Sequence, residues 1–282
     1  MPPSAPPLAT TDQLIALYDA FLLDAYGVLV EGAGPCLGAA AFLQRLDEHG
    51  KPWRILSNDA SKTPESAAAR YQGYGLPVHA SQVLNAAGLL PDWFAERGLR
   101  GARCRVLGTA DSCALVTRAG GHVAPLPDPD FSVLVLCDEA GYPLLEILDD
   151  TLTCVVRALQ LGRPMHLVLP NPDLTYPKAR ESWGFASGSL AALLEGGIAA
   201  RFSDFPLRFQ ALGKPHPALF QQGLQAVGPG RVLMIGDQPA TDMQGAHAVG
   251  IDSALALWGV TAWPPQAPLP AQRTPTWLLA QF

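Results

Sequence analysis

The chain has 282 residues, 49% hydrophobic and 16% charged, with a formal net charge of -6 and a pI of about 5.4. That is enough chain for two packed cores, and the lack of any basic run argues against a nucleic-acid binder. No apolar run approaches the ~18 residues of a membrane span, and five scattered cysteines without a C-x-x-C pair argue against a disulfide framework or zinc site and fit a reducing cytosol.

In chain order, the proline-rich start MPPSAPPLATT lacks the charged and apolar blocks of a signal peptide and reads as a mobile lead-in. Residues 12 to 19 (DQLIALYD) are predicted to form a short helix that starts near Asp12. FLLD, residues 21 to 24, ends a strand on an acid, and Gly32, Gly34 and Pro35 mark a turn. Residues 37 to 48 carry apolar side chains at helical spacing, and Gly50 is their stop. WRILSN is a strand and TPESAAARYQGYG a helix. This βαβα order argues for a mostly parallel sheet covered by helices.

The middle repeats the pattern. RCRVLG, FSVLVLCD and PMHLVLPN read as strands, and ADSCALVTRAGG and LLEILDDTLTCVVRALQLG as helices. They form a small α/β unit of their own at about residues 84 to 185, inserted into a core made of residues 1 to 83 and 186 to 282. SGSLAALLEGG, GKPHPALFQQGLQAVG and TDMQGAHAVG then read as helices, and RVLMIGDQ as a strand ending on an acid. The tail, with Trp258 and Trp263, reads as irregular.

Ligands of parallel sheets bind beyond the carboxyl ends of the strands. Those ends deliver Asp24, then Ser57 and Asn58, then Asp237 with Asp242 a turn later, while Lys214 opens a helix in LGKPHP. The set suits a phosphoryl group. A carboxylate can attack phosphorus, a second carboxylate helps hold magnesium, and a lysine and a hydroxyl orient phosphate oxygens. Singly, each residue fits a bland role as well: a helix cap for the acids, a turn former for Ser57 and Asn58, a solvated charge for Lys214.

The four segments LLDAYGVL, ILSNDASKTPE, GKPHP and MIGDQPATD resemble, in order, the motifs of the haloacid dehalogenase-like superfamily. The position and kind of the insert, with NPDLTYP at residues 171 to 177, resemble its NagD-type class IIA branch. The resemblance implies a doubly wound parallel sheet with an α/β cap and a magnesium-dependent phosphatase of small phosphorylated metabolites. It implies that Asp24 is the nucleophile, and that magnesium is held by Asp24, Asp237 and the backbone carbonyl of Tyr26, with Asp242 supporting the site. It further implies phosphate binding by Ser57 with Asn58 beside it, a Lys214 contact to Asp24 and phosphate, and a cleft position for Asn171 and Asp173, whose bland reading is an ordinary turn. A homodimer through the cap is implied by analogy alone; no nucleic acid or membrane partner is expected.

The pattern breaks at Tyr26. Family phosphatases place an acid there, which protonates the leaving oxygen and then activates water, and losing such a group typically costs ~10²–10⁴ in rate. A phenol with a pKa near ~10 can donate a proton but is a poor base while protonated. Tyr26 therefore reads as a packing or lid residue. The same tyrosine resembles haloacid dehalogenases, which gives a carbon-centred hydrolase as one alternative; a catalytically weak phosphate-binding relative is another. Against the dehalogenase stand the retained acids of GDQPATD and the short distance from Asp24 to Ser57. Asp59 is a second candidate acid, with helix capping as its bland role.

Overall fold

The computed structural model describes residues 5–32, 34–179, 182–202 and 207–282. Residues 1–4 of the expected lead-in lie outside them. In chain order, the strands of two sheets are β1 (Leu8–Ala9), β2 (Ala20–Leu23), β3 (Trp53–Ser57), β4 (Val83–Asn85), β5 (Arg103–Leu107) and β6 (His122–Val123). They continue with β7 (Val133–Leu136), β8 (His166–Leu169), β9 (Gln210–Ala211), β10 (Val232–Gly236), β11 (Asp252–Ala256) and β12 (Trp277–Leu279). The fold class is α/β, as the alternation of strands and helices predicts.

The chain divides into two compact units: residues 1–57, 64–84 and 214–282, and residues 58–63 and 85–213. The sequence reading ended the insert at 185. The compact second unit runs to Gly213, because helix Ser187–Arg201 packs on helix Leu144–Gln160 and β9 pairs with β8. It also takes residues 58–63, the segment that follows β3.

In the first unit the sheet order is β1-β12-β11-β10-β2-β3-β4. The pairs from β1 through β3 run parallel. Every residue of β2 and β10 is buried, which is why AFLL and VLMIG read as unbroken apolar runs: a central parallel strand is covered on both faces. Phe42, Leu43 and Leu46 of helix Ala39–Glu48 pack on one face with Leu23, Ile55 and Ile235. The first helix is Thr11–Leu17, with Asp12 in its first turn as expected and Thr10 as its cap. The Thr10 hydroxyl accepts from Gln13 N and the Gln13 side chain accepts from Thr10 N, which satisfies two donors that a helix start leaves open. Short antiparallel strands Val30–Glu31 and Gly34–Pro35 stand where a turn was expected. The tail, expected to be irregular, supplies β11 and β12.

The second unit has its own parallel sheet, β9-β8-β7-β5-β6. Leu134, Leu136, Leu148, Val155, Leu167 and Leu194 form its core. Among the described residues no helix is long and apolar enough to cross a membrane.

Candidate active site

The strands β10, β2 and β3 are parallel neighbours, so their carboxyl ends share one edge of the sheet. Asp237 follows β10, Asp24 follows β2, and Ser57 ends β3, each buried. The Asp24 N–H donates to the Ile235 carbonyl at 2.8 Å, which carries the pairing of β2 and β10 up to the acid itself. Asp242 sits in a π turn, Pro239–Met243, directly after Asp237.

Asp24, Asp237 and Asp242 each present a carboxylate oxygen within 4.8 Å of the others. Lys214 Nζ donates to Asp24 Oδ1 and to Asp242 Oδ1, both at 2.7 Å. Asp24 Oδ1 also accepts from Ala25 N at 2.7 Å. Asp242 is used up by the protein: its Oδ2 accepts from Asp237 N at 3.2 Å and Gln238 N at 3.1 Å. Asp237 is different. Its Oδ2 accepts from Val260 N at 2.9 Å, while its fully buried Oδ1 has no hydrogen-bond partner among the described residues.

Glycines make this crowding feasible. A Cβ at Gly27, where φ is +86°, would stand 2.0 Å from Asp237 Oδ2, and one at Gly259 would stand 2.2 Å from Asp237 Cβ. The chain thus passes against the Asp237 carboxylate from two sides, which only glycine permits. Gly259 and the Val260 N–H were not singled out, because a loop glycine carries no chemical signature of its own.

Three carboxylates and one ammonium leave two negative charges unbalanced when all are ionised. Burial pushes the Asp24 carboxyl from its ordinary 3.8 up to about 7; Lys214 pulls it down and Asp242 adds to the rise. Burial, and then the charges of Asp24 and Asp242, hold Asp237 well above the usual carboxylate range. For Lys214 burial opposes the charge, but the pull of Asp24 and Asp242 outweighs it and the ammonium is kept. Two buried acids, Asp24 and Asp237, held above the usual carboxylate range, one of them with an orphaned oxygen, fit a hard divalent cation that displaces their protons. Magnesium meets both conditions, since its preferred ligands are carboxylate, carbonyl and water oxygens.

Tyr26 is half-buried and packs on the core of the first unit. Burial raises its phenol, and the charges that bear on it are those of Arg70, Tyr74 and Glu31. In the second unit, Asn58 Nδ2 donates to Asp173 Oδ1 at 2.9 Å and Asp173 N donates to Asn171 Oδ1 at 3.0 Å. These three residues thus form one polar cluster. Gly213 leaves them room, because a Cβ there would lie 2.4 Å from Asn58 Oδ1. The Asp59 carboxylate is taken up by its own turn, accepting from Ser61 N at 2.7 Å and Ser61 Oγ at 2.6 Å.

An open parallel sheet with acids on adjacent strand ends defines a doubly wound α/β enzyme. Residues 21–122 match a family model described as haloacid dehalogenase-like hydrolase, and residues 211–281 match one described as HAD-hydrolase-like. Together they span more than half of the chain, and the protein belongs to the haloacid dehalogenase-like hydrolases. It is 26% identical over 246 residues to the acid sugar phosphatase of Staphylococcus aureus, across 86% of this chain and 88% of that one.

Three solved structures share the fold. A possible sugar phosphatase from Cytophaga hutchinsonii matches with a TM-score of 0.80 and 24% identity over 97% of both chains. The glycerol phosphate phosphatase of Mycobacterium tuberculosis in complex with magnesium matches at 0.74 and 23%, over 96% of this chain and 76% of that one. NagD from Escherichia coli matches at 0.71 and 21%, over 94% and 97%.

Proposed function

We propose that the protein is a magnesium-dependent phosphatase of small phosphorylated metabolites, with Asp24 as the residue that becomes phosphorylated. One observation carries this reading: three buried carboxylates present oxygens within 4.8 Å of one another, Lys214 donates to two of them, and Asp237 Oδ1 takes no hydrogen bond from the described residues. The phosphatase names of the relatives above support it.

Asp24 attacks phosphorus through Oδ2, while Lys214 and the Ala25 N–H hold Oδ1 and fix the carboxylate's orientation. The Ser57 hydroxyl and the Lys214 ammonium orient the phosphate oxygens. Asp24, Asp237 Oδ1 and the Tyr26 carbonyl would hold magnesium, which when bound supplies the positive charge that lets a carboxylate and a phosphate approach. Asp242, both of whose oxygens are engaged, supports the site by holding Lys214 and the turn after β10. Asn58, Asn171 and Asp173 would contact the substrate beyond its phosphate. Pairing of two copies through the inserted unit and a cytoplasmic location belong to the same reading; five free cysteines support the latter.

Tyr26 occupies the place of the proton donor, and burial raises its phenol, which makes it a poor substitute for a carboxylic acid. The reaction therefore favours leaving groups that depart without a proton, such as aryl and acyl phosphates. Hydrolysis of an aryl phosphate tests the reading directly. It should require magnesium and fall by about 10³-fold or more in Asp24→Asn, as expected for removal of a nucleophile. Turnover that survives the substitution contradicts it. Tyr26→Asp should raise turnover on alkyl phosphates by about 10²-fold by restoring an acid–base group; no rise at all would favour a ligand-binding relative.

A further inference from the structure

Two loops hold the oxygens of the acid site, and one side chain joins them. Residues 25–30 form a closed turn after Asp24: Leu29 N and Val30 N donate to the Ala25 carbonyl at 2.9 and 3.0 Å, and Gly27 N donates to the Val30 carbonyl at 2.8 Å. The second loop follows β11 and carries Gly259 and Val260, which lie against Asp237. Between them Trp258 Nε1 donates to the Val28 carbonyl at 3.2 Å.

The indole is itself braced. The Phe282 ring lies 4.6 Å from Trp258 at 58° and is stacked 4.6 Å from Phe42 at 18°. Gly38 leaves space for it, since a Cβ there would come within 3.0 Å of Phe282 Cβ. Aromatic pairs of this kind add to area burial and fix ring orientation.

We propose that Trp258, backed by Phe282, is a positioning residue that sets the spacing between the Asp24 turn and the loop holding Asp237, and so tunes affinity for the cation. The proposal rests on the reading that Asp24 and Asp237 share a divalent ion. Neither aromatic touches the carboxylates; both act through the two loops.

Magnesium binding to the full chain, measured by titration calorimetry at a temperature where circular dichroism shows every variant folded, tests it. Trp258→Phe keeps a ring and removes the N–H; it should weaken binding about tenfold, the lower end of the cost of losing a partner outside the ligand shell. Phe282→Ala should weaken it in the same direction, and Phe282→Tyr, which keeps the stack, should restore wild-type affinity. Tyr18→Phe is the structural control. It removes a 2.7 Å hydrogen bond to Asp252, beside the starts of β2 and β11, and should lower the melting temperature without moving the dissociation constant.

Unchanged affinity in both Trp258→Phe and Phe282→Ala, or equal weakening in Tyr18→Phe, overturns the brace while leaving the cation reading intact. No binding by the wild type, or binding retained in Asp237→Asn, overturns the cation reading and the brace with it.

Discussion

Each unit buries a charged cluster, and the two are built differently. In the second unit Arg105 is 1% exposed and one carboxylate, Asp150, balances its charge, while its Nε has no hydrogen-bond partner among the described residues. Its guanidinium donates to Asp150 Oδ2 at 2.7 Å, to Thr151 Oγ1 at 3.0 Å and to the carbonyls of Pro127 and Asp128, and it lies over the Phe131 ring at 4.6 Å. One cation meets one carboxylate, and the cluster ties a strand to a helix and a loop. In the first unit one ammonium pairs with two carboxylates, Asp24 and Asp242, and a third, Asp237, lies within 4.8 Å of them. Burial without balance has a cost that folding alone does not repay, and it concentrates where sites bind a charged ligand. The lesson is that charge count, more than burial, separates a structural cluster from a reactive one.

The largest expected effect comes from removing Lys214, the cation that pairs with Asp24 and Asp242 in the unbalanced cluster. Lys214→Met should cost about 3–5 kcal/mol, the usual penalty of leaving buried charge unpaired. Chemical denaturation of the metal-free protein measures it. A cost no larger than that of Arg105→Met would break the comparison.

Magnesium should supply what the cluster lacks. At about 100 times the dissociation constant a ligand contributes ~2.7 kcal/mol, which shifts melting by roughly 5–10 °C for a chain of this size. The shift should depend on pH in a definite direction. Because Asp24 titrates at about 7 when folded and 3.8 ordinarily, its contribution to metal-free stability is present below 3.8 and is lost as pH rises through about 7. The magnesium shift should therefore be larger at pH 8 than at pH 5. Thermal scans at both pH values check this, and equal shifts would count against the acid cluster as the binding site.

Arg105→Met should cost about 2 kcal/mol, because carbonyls and a hydroxyl lose their donor, and should leave magnesium affinity unchanged. A change in affinity would blur the distinction between the clusters. The smallest effect has the opposite sign. Asp237→Asn removes one surplus charge and should stabilise the metal-free chain by about 1 kcal/mol, while abolishing the magnesium shift. Destabilisation would mean that the charge is balanced by something other than a cation.

Much of the acid site was legible because β2 and β10 are buried on both faces. Their apolar runs stop abruptly, and the residue at each stop is an acid. Lys214 was legible through GKPHP and Ser57 through the end of WRILS. The rest was hidden for physical reasons. β11 and β12 are short strands set among glycines and prolines, from Gly250 and Gly259 to Pro275, so the tail read as irregular. β1 is two residues of the proline-rich start, and its pairing with β12 is a long-range contact that no local pattern reports. The extent of the second compact unit to Gly213 depends on how helix Ser187–Arg201 packs, and its apolar pattern fits either core. The cradle at Gly259 and the ring of Phe282 act through close approach, which is a property of the folded chain.

One measurement tests the central claim most directly. Crystals soaked in manganese, a divalent stand-in for magnesium, should show an anomalous peak at coordination distance, about 2.0–2.6 Å, from an oxygen of Asp24 and from Asp237 Oδ1 together. A peak that touches only one of them, or none at this edge of the sheet, would contradict it.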